Sequence, residues 1–291
     1  MPVPDQTPAD VHEQIRRLVG GGWVEELLIR GDQSAELLRA IVEAGRLAGR
    51  SVRLVSMLPA SSLPPARGRE RWREGDLNGD HSWVLVPPRR PGWALFPKRL
   101  LDVFVAATLL VALSPVFLVI AVAIKITSAG PIFYPWRVVG ENGRPFVGFK
   151  FRTMVREADT LKTQLLHLNE RRGPVFKMSR DPRVTNLGGW LRKHSLDELP
   201  QLWNVLIGDM SLVGPRPAFP SEYGNYELWQ MRRLTVTPGL TCLWQVDGRR
   251  TINDFSEWAR LDLRYIDSWS LRNDFSILWR TPMAVIKGTG S

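Results

Sequence analysis

Apolar and polar positions along the chain fall into three regimes. Up to about residue 90, two short apolar runs, Trp23–Ile29 and Ser51–Met57, read as strands. Between them, Leu37, Leu38, Ile41, Val42 and Leu47 recur at helical spacing behind Ser34, a residue suited to capping a helix start. This is a small β-α-β-like domain covering residues 1–90, and no Gly-x-Gly-x-x-Gly follows its first strand, so dinucleotide binding is not supported. Residues 59–79, rich in Pro, Ser, Gly and alternating Arg and Glu, read as a linker whose arginines rest on anionic lipid. A further short strand begins at Trp83 and stops at Pro87 and Pro88.

The second regime is continuous. Val103–Ile124 is about 22 residues without a charge, enough helix for a hydrocarbon core of about 30 Å. Ser114 and Pro115 sit at its middle, where proline removes a backbone donor and breaks the helix. Arg89, Arg90, Lys98 and Arg99 precede the run, and Lys125, Arg137, Arg144, Lys150 and Arg152 follow it. Positive charge stays on the cytoplasmic side, so basic flanks at both ends predict a re-entrant helical hairpin over 96–126. A kinked single span is the alternative.

The third regime, 127–291, is mainly helical. A β-hairpin, Pro135–Val139 and Phe146–Phe151, turns at Gly140–Gly143. Helical patterns follow at Val155–Glu170, Leu187–Leu191, Leu196–Leu206, Tyr223–Leu234, Phe255–Trp269 and Phe275–Lys287. Seven tryptophans from Trp190 to Trp279 divide between core packing and a wet, interfacial face.

Composition narrows the partners. A formal charge of +10 calls for an anionic one. The basic residues are scattered and no zinc-finger or aromatic RNA-binding signature is present, which argues against nucleic acid. The single cysteine, Cys242, excludes an internal disulfide framework and fits a buried apolar role; Met1–Gln14 does not read as a secretory signal. His12, His81, His167 and His194 lack metal-ligand spacing.

The chemistry centres on Asp197 and Glu198. Two carboxylates this close repel unless a cation neutralises them, and Mg²⁺ takes one or two carboxylates plus substrate phosphate oxygens. Alone, an Asp-Glu pair on a helix is a solvated surface feature. Here Arg192 lies five residues before Asp197, and Pro215 and Pro217 fix the backbone around Arg216, whose guanidinium suits bidentate phosphate binding.

Lys150–Met154, Asp181–Thr185, Leu196–Leu206 and Gly208–Pro217, in this order and spacing, resemble the bacterial sugar transferase domain of monotopic phosphoglycosyl transferases over residues 96–287. The resemblance implies an α/β mixed chain with a mainly helical monotopic membrane catalytic domain at the cytoplasmic face of the bacterial inner membrane. It implies transfer of a sugar 1-phosphate from a UDP-sugar to polyprenyl phosphate with release of UMP, in exopolysaccharide, capsule, O-antigen or glycoprotein glycan assembly. Asp197 is then the nucleophile and Glu198 the Mg²⁺ ligand; Lys150, Arg152, Arg192 and Arg216 are phosphate or nucleotide contacts, and Asp262 is a supporting acid. Cys242 and Leu243 stand where the family has Gly-Trp, so contacts from that loop, Arg249 among them, are open. Regulation, homo-oligomerisation and recruitment of downstream glycosyltransferases are the roles open to residues 1–90. The rival readings are a membrane-tethered UDP-sugar hydrolase and a non-enzymatic binder of anionic lipid or nucleic acid.

Overall fold

The computed structural model describes residues 10, 13–15, 26–30, 34–55, 63–66, 71–77, 80–86, 92–170, 173–176, 178, 180–248, 252 and 254–286. The expectations at Trp23, Met57, His12, Arg89, Arg90, Arg249 and Lys287 fall outside these residues.

The chain begins with β1 (Glu26–Arg30), α1 (Ala35–Ala48) and β2 (Ser51–Val55), with β1 and β2 parallel. Ser34 Oγ accepts the Leu37 N–H at 3.2 Å, and Gly49, at φ 66°, closes α1 in a left-handed turn. β3 (Arg71–Leu77) and β4 (Asp80–Val86) complete the sheet in the order β1-β2-β4-β3. β3 corrects the linker expected over 59–79. It is an edge strand in which Arg71, Arg73, Glu74 and Asp76 face solvent, so its charges mimic a loop while its backbone pairs with β4 from Arg71↔Val86 to Leu77↔Asp80.

α1 rests on the later chain as well as on its own sheet. Val42 and Val52 share one buried apolar cluster with Tyr226, Met231 and Phe255. A Cβ on Gly49 would lie 2.7 Å from Thr235 Cγ2, and Arg50 Nη1 donates to Asn142 Oδ1 at 2.9 Å. Glycine is therefore required at 49 for close approach as well as for backbone conformation.

The continuous apolar run forms α2 (Gly92–Ala112) and α3 (Ser114–Thr127), bent by 59° at Leu113. Ser114 Oγ donates to the Val111 carbonyl, and Pro115 occupies the first turn of α3, where its missing N–H costs nothing. Among the described residues no single helix is long and apolar enough to cross a membrane; this bent pair passes that test only together. Phe96, Phe104, Val111, Leu118, Val119 and Ile126 are exposed along it. Lys98 and Arg99, counted among the basic residues flanking the run, turn into the protein, Lys98 onto Asp274 and Arg99 onto the carbonyls of Val205 and Leu206.

β5 (Phe133–Val139) and β6 (Pro145–Phe151) form the expected antiparallel hairpin. The helix expected over 155–170 is shorter, α4 (Ala158–Leu165), followed by a 3₁₀ turn at Leu166–Leu168. Then come α5 (Asn186–Lys193), α6 (Gln201–Ile207), β7 (Ser211–Val213), α7 (Pro220–Tyr223), β8 (Gly239–Thr241), α8 (Leu243–Gly248), α9 (Phe255–Asp267) and α10 (Leu271–Ile286). The helix expected over 223–234 is replaced by α7 and a 3₁₀ segment, Gln230–Thr235. β7 and β8 pair in parallel, a small sheet the sequence pattern did not signal.

Candidate active site

Asp197 and Glu198 lie in a single 3₁₀ turn, Leu196–Glu198, not in the first turn of a long helix. Ser195 precedes them at φ 54°, ψ 22°, a left-handed conformation that reverses the chain after α5, and Pro200 opens α6 afterwards. In a 3₁₀ turn, adjacent side chains diverge by about 120°. Asp197 accordingly turns into the protein while Glu198 stays partly exposed.

Glu198 Oε1 accepts from Lys150 Nζ at 2.8 Å, joining the acid turn to β6. Lys150 Nζ also lies 4.4 Å above the ring of Trp136 on β5. Trp136 lies across Gly148, its register partner, where a Cβ would come within 2.3 Å of the indole Nε1. Asn204 of α6 fixes this hairpin by accepting the Phe149 N–H and donating to the Val147 carbonyl.

Trp136 continues toward the arginine loop. Its ring meets Phe219 edge-on at 5.1 Å, and the Arg216 guanidinium sits 5.8 Å from the Phe219 ring. Arg216 Nη1 is 3.5 Å from Glu222 Oε2, and β5 bridges to the same loop where Val139 N–H donates to the Ala218 carbonyl at 2.8 Å. Pro215 is buried, and the loop sits on a backbone crossing: a Cβ on Gly239 would fall 2.0 Å from Gly214 N, and one on Gly214 would fall 2.6 Å from the Thr237 carbonyl oxygen. Only glycine fits at either position.

Arg233, from the 3₁₀ segment, supports the loop from behind. Its Nη2 donates to the Arg216 carbonyl at 3.3 Å, its Nε to Asp262 Oδ2 at 2.7 Å and its Nη1 to the Tyr226 hydroxyl at 2.8 Å. Asp262 is 1% exposed, so it reaches the loop through Arg233 and not through solvent. Burial lifts its carboxyl above the usual range, against the pull of Arg233 and Arg216. Burial likewise pushes the Tyr226 hydroxyl up to about 12.

The remaining predicted contacts sit elsewhere on the same frame. Arg152 is buried and donates through Nη2 to the Ser128 carbonyl and Oγ, both at 2.8 Å, tying β6 to the exit of α3; its Nη1 has no hydrogen-bond partner among the described residues. Arg192 Nε donates to Thr153 Oγ1 at 2.9 Å. Asp181 and Arg183 form a two-contact ion pair, 2.8 and 2.6 Å. Burial pushes the Asp181 carboxyl up, but hydrogen bonds from Arg183 and the charges of Arg183 and Arg192 bring it below the ordinary range.

The structure thus brings Lys150 to Glu198 and Asp262 to the Arg216 loop, and it turns Arg152 onto Ser128 at the exit of α3. Sequence reasoning missed Trp136, Glu222 and Arg233. Gly148, a glycine within a strand pattern, was the available sign of a large residue crossing opposite it. Among the described residues no group of three or more His, Cys, Asp or Glu side chains could hold a metal. Because Asp197 turns inward, Glu198 is the carboxylate left to take a cation, and Mg²⁺ needs only one or two carboxylates when substrate phosphate and water fill the rest of its shell.

A family model described as bacterial sugar transferase matches residues 93–288. The chain is 43% identical over 199 residues to the galactosyl transferase CpsE of Streptococcus agalactiae, covering 68% of this chain and 44% of that protein. It is 40% identical over 198 residues to the exopolysaccharide production protein ExoY of Rhizobium meliloti, covering 67% and 87%. It is 40% identical over 205 residues to the undecaprenyl-phosphate galactose phosphotransferase of Salmonella typhimurium, covering 67% and 42%. The chain therefore spans less than half the length of the first and third of these relatives.

Proposed function

The chain belongs to the bacterial sugar transferase family, and from that footing we propose that it transfers a sugar 1-phosphate from a UDP-sugar to polyprenyl phosphate, releasing UMP, as a membrane step of polysaccharide assembly. The observation that carries this reading is the turn that withdraws Asp197 from solvent and pairs its neighbour Glu198 with Lys150. A carboxylate sheltered from solvent, next to an acid that already binds a cation, is a suitable nucleophile toward an anionic phosphorus centre.

In the first step Asp197 attacks the sugar-linked phosphorus. A carboxylate-phosphorus bond forms, the bridge to the uridine-bearing phosphate breaks, and that oxygen takes the electron pair away as UMP. In the second step an oxygen of the lipid phosphate attacks the same phosphorus and the Asp197 carboxylate is regenerated. Each step brings together two anions, and Lys150 and Arg216 offset the charge. Glu198 with substrate oxygens would hold Mg²⁺, which supplies further charge compensation when bound.

The acceptor is reached at the membrane surface. In this reading the α2–α3 pair, bent by 59°, re-enters on the side from which it came and α10 lies along the interface, which its exposed face of Phe275, Trp279, Met283 and Ile286 supports, Trp279 being 87% exposed. Trp203 and Ile207 of α6 are further exposed apolar residues.

Intact mass spectrometry of the protein with UDP-sugars and Mg²⁺, lipid acceptor omitted, tests the mechanism. A sugar-phosphate adduct is expected on the native chain and absent from Asp197→Asn. UMP release at the native rate by that variant would sink the proposal, and continuous turnover without acceptor would favour hydrolysis instead. The same assay across UDP-glucose, UDP-galactose and their N-acetylated counterparts names the donor.

A further inference from the structure

At the foot of the membrane hairpin, one stretch of α2 sends three charged side chains inward. Lys98, 8% exposed, donates from Nζ to the Val213 carbonyl at 3.0 Å and to Asp274 Oδ2 at 2.8 Å. Asp102 Oδ1, also buried, accepts the Leu212 N–H at 2.9 Å. Arg99 donates to the carbonyls of Val205 and Leu206 at 2.6 and 2.7 Å, at the C-terminal end of α6 where carbonyls lack helical partners. Asp274 is 1% exposed and lies 2.7 Å from the Tyr265 hydroxyl and 3.1 Å from Trp269 Nε1; the same hydroxyl is 3.0 Å from the Val213 carbonyl.

Burying a lysine and two carboxylates is unfavourable unless their partners are held in good geometry, and it is weak evidence of stabilisation for its own sake. What the cluster does is hold backbone. Lys98 and Asp102 bind β7, which runs directly into Gly214, Pro215 and Arg216. Arg99 binds the far end of α6, whose near end follows the turn of Asp197 and Glu198. Both halves of the site therefore hang from one helical stretch, and that helix is the one entering the apolar layer.

We propose that Lys98, Arg99 and Asp102 are positioning residues of the transfer reaction, setting the separation between the carboxylate pair and Arg216 and the height of both above the lipid surface. The inference rests on the roles given to Asp197 and Arg216 under Proposed function. A merely structural cluster lowers the amount of active protein, whereas a positioning one changes how well the folded protein binds its donor.

The test is turnover of the full chain in lipid nanodiscs, UMP release against UDP-sugar concentration at saturating polyprenyl phosphate, alongside a thermal midpoint for each variant. Asp102→Ala removes the acceptor for the Leu212 N–H and is expected to raise the donor KM about tenfold. Asp102→Asn keeps an oxygen there and is expected to restore KM to within about twofold. A KM that stays native in Asp102→Ala, whatever happens to kcat and the midpoint, overturns the inference. Should Asp102→Ala fail to fold, Tyr265→Phe decides: a KM raised about threefold supports positioning and an unchanged one rejects it. Arg216→Gln separates the two levels, because an unchanged donor KM in that variant strikes the reading of the site itself. A raised KM there with a native one in Asp102→Ala strikes this inference alone.

Discussion

Two ion pairs stand behind the proposed chemistry, and they are built to opposite specifications. Lys150 and Glu198 meet at 2.8 Å with both side chains partly open to solvent, one on a strand and the other on the acid turn. Arg233 and Asp262 meet at 2.7 Å with both side chains almost fully enclosed, behind the loop they support. The first pair can exchange partners when a phosphate or cation arrives, at small cost, because solvent already screens it. The second cannot be opened without leaving a buried charge, so it holds shape. Reactive groups and their scaffolding thus use the same residue chemistry at different depths.

Breaking each pair separately should split stability from activity. Arg233→Met strands Asp262 and is expected to lower unfolding free energy by about 3–5 kcal/mol, read by chemical denaturation. A loss below about 1 kcal/mol would mean the buried pair is not the prop described here. Glu198→Gln should do the reverse: stability within about 1 kcal/mol of native, and UMP release slower by about a hundredfold or more. Equal damage to both properties in both variants would erase the contrast.

Gly148→Ala tests the seat under Lys150. Its Cβ would press on the Trp136 indole, and overpacking of this kind costs about 1–3 kcal/mol, with donor turnover falling because Lys150 shifts. The smallest effect concerns acid. Asp181 has a carboxyl held below its ordinary 3.8, so its contribution is present above that value and lost as pH falls through the lower, folded one. Thermal midpoints should therefore drop more steeply below about pH 4 in the native chain than in Asp181→Asn. Parallel curves would remove Arg183 and Arg192 as the cause.

The comparison also explains what the sequence made legible. Ser114–Pro115 announced a break because proline's missing donor acts locally, and the β5–β6 hairpin announced itself through alternation and a Gly-Glu-Asn-Gly turn. β3 was hidden because an edge strand with charges on its exposed positions looks like a linker. Lys98 and Arg99 looked like no more than the basic flank of the apolar run, since nothing local reveals that Lys98 meets Asp274, 176 residues away. The acid turn looked like the start of one helix because the left-handed Ser195 carries no glycine or asparagine to mark it. Local chemistry was readable; long-range pairing of charges was not.

The seam between Gly214 and Gly239 has a consequence for observation. With no side chain between the two backbones, nothing there can repack to absorb a displacement, so β8 moves when the arginine loop moves. Cys242, the chain's single cysteine, is buried at the end of that strand, just past the Thr241 carbonyl that accepts the Gly214 N–H at 3.0 Å. Its thiol stretching band is thus a native spectroscopic reporter, unique in the chain, of whether the loop shifts when a nucleotide sugar binds.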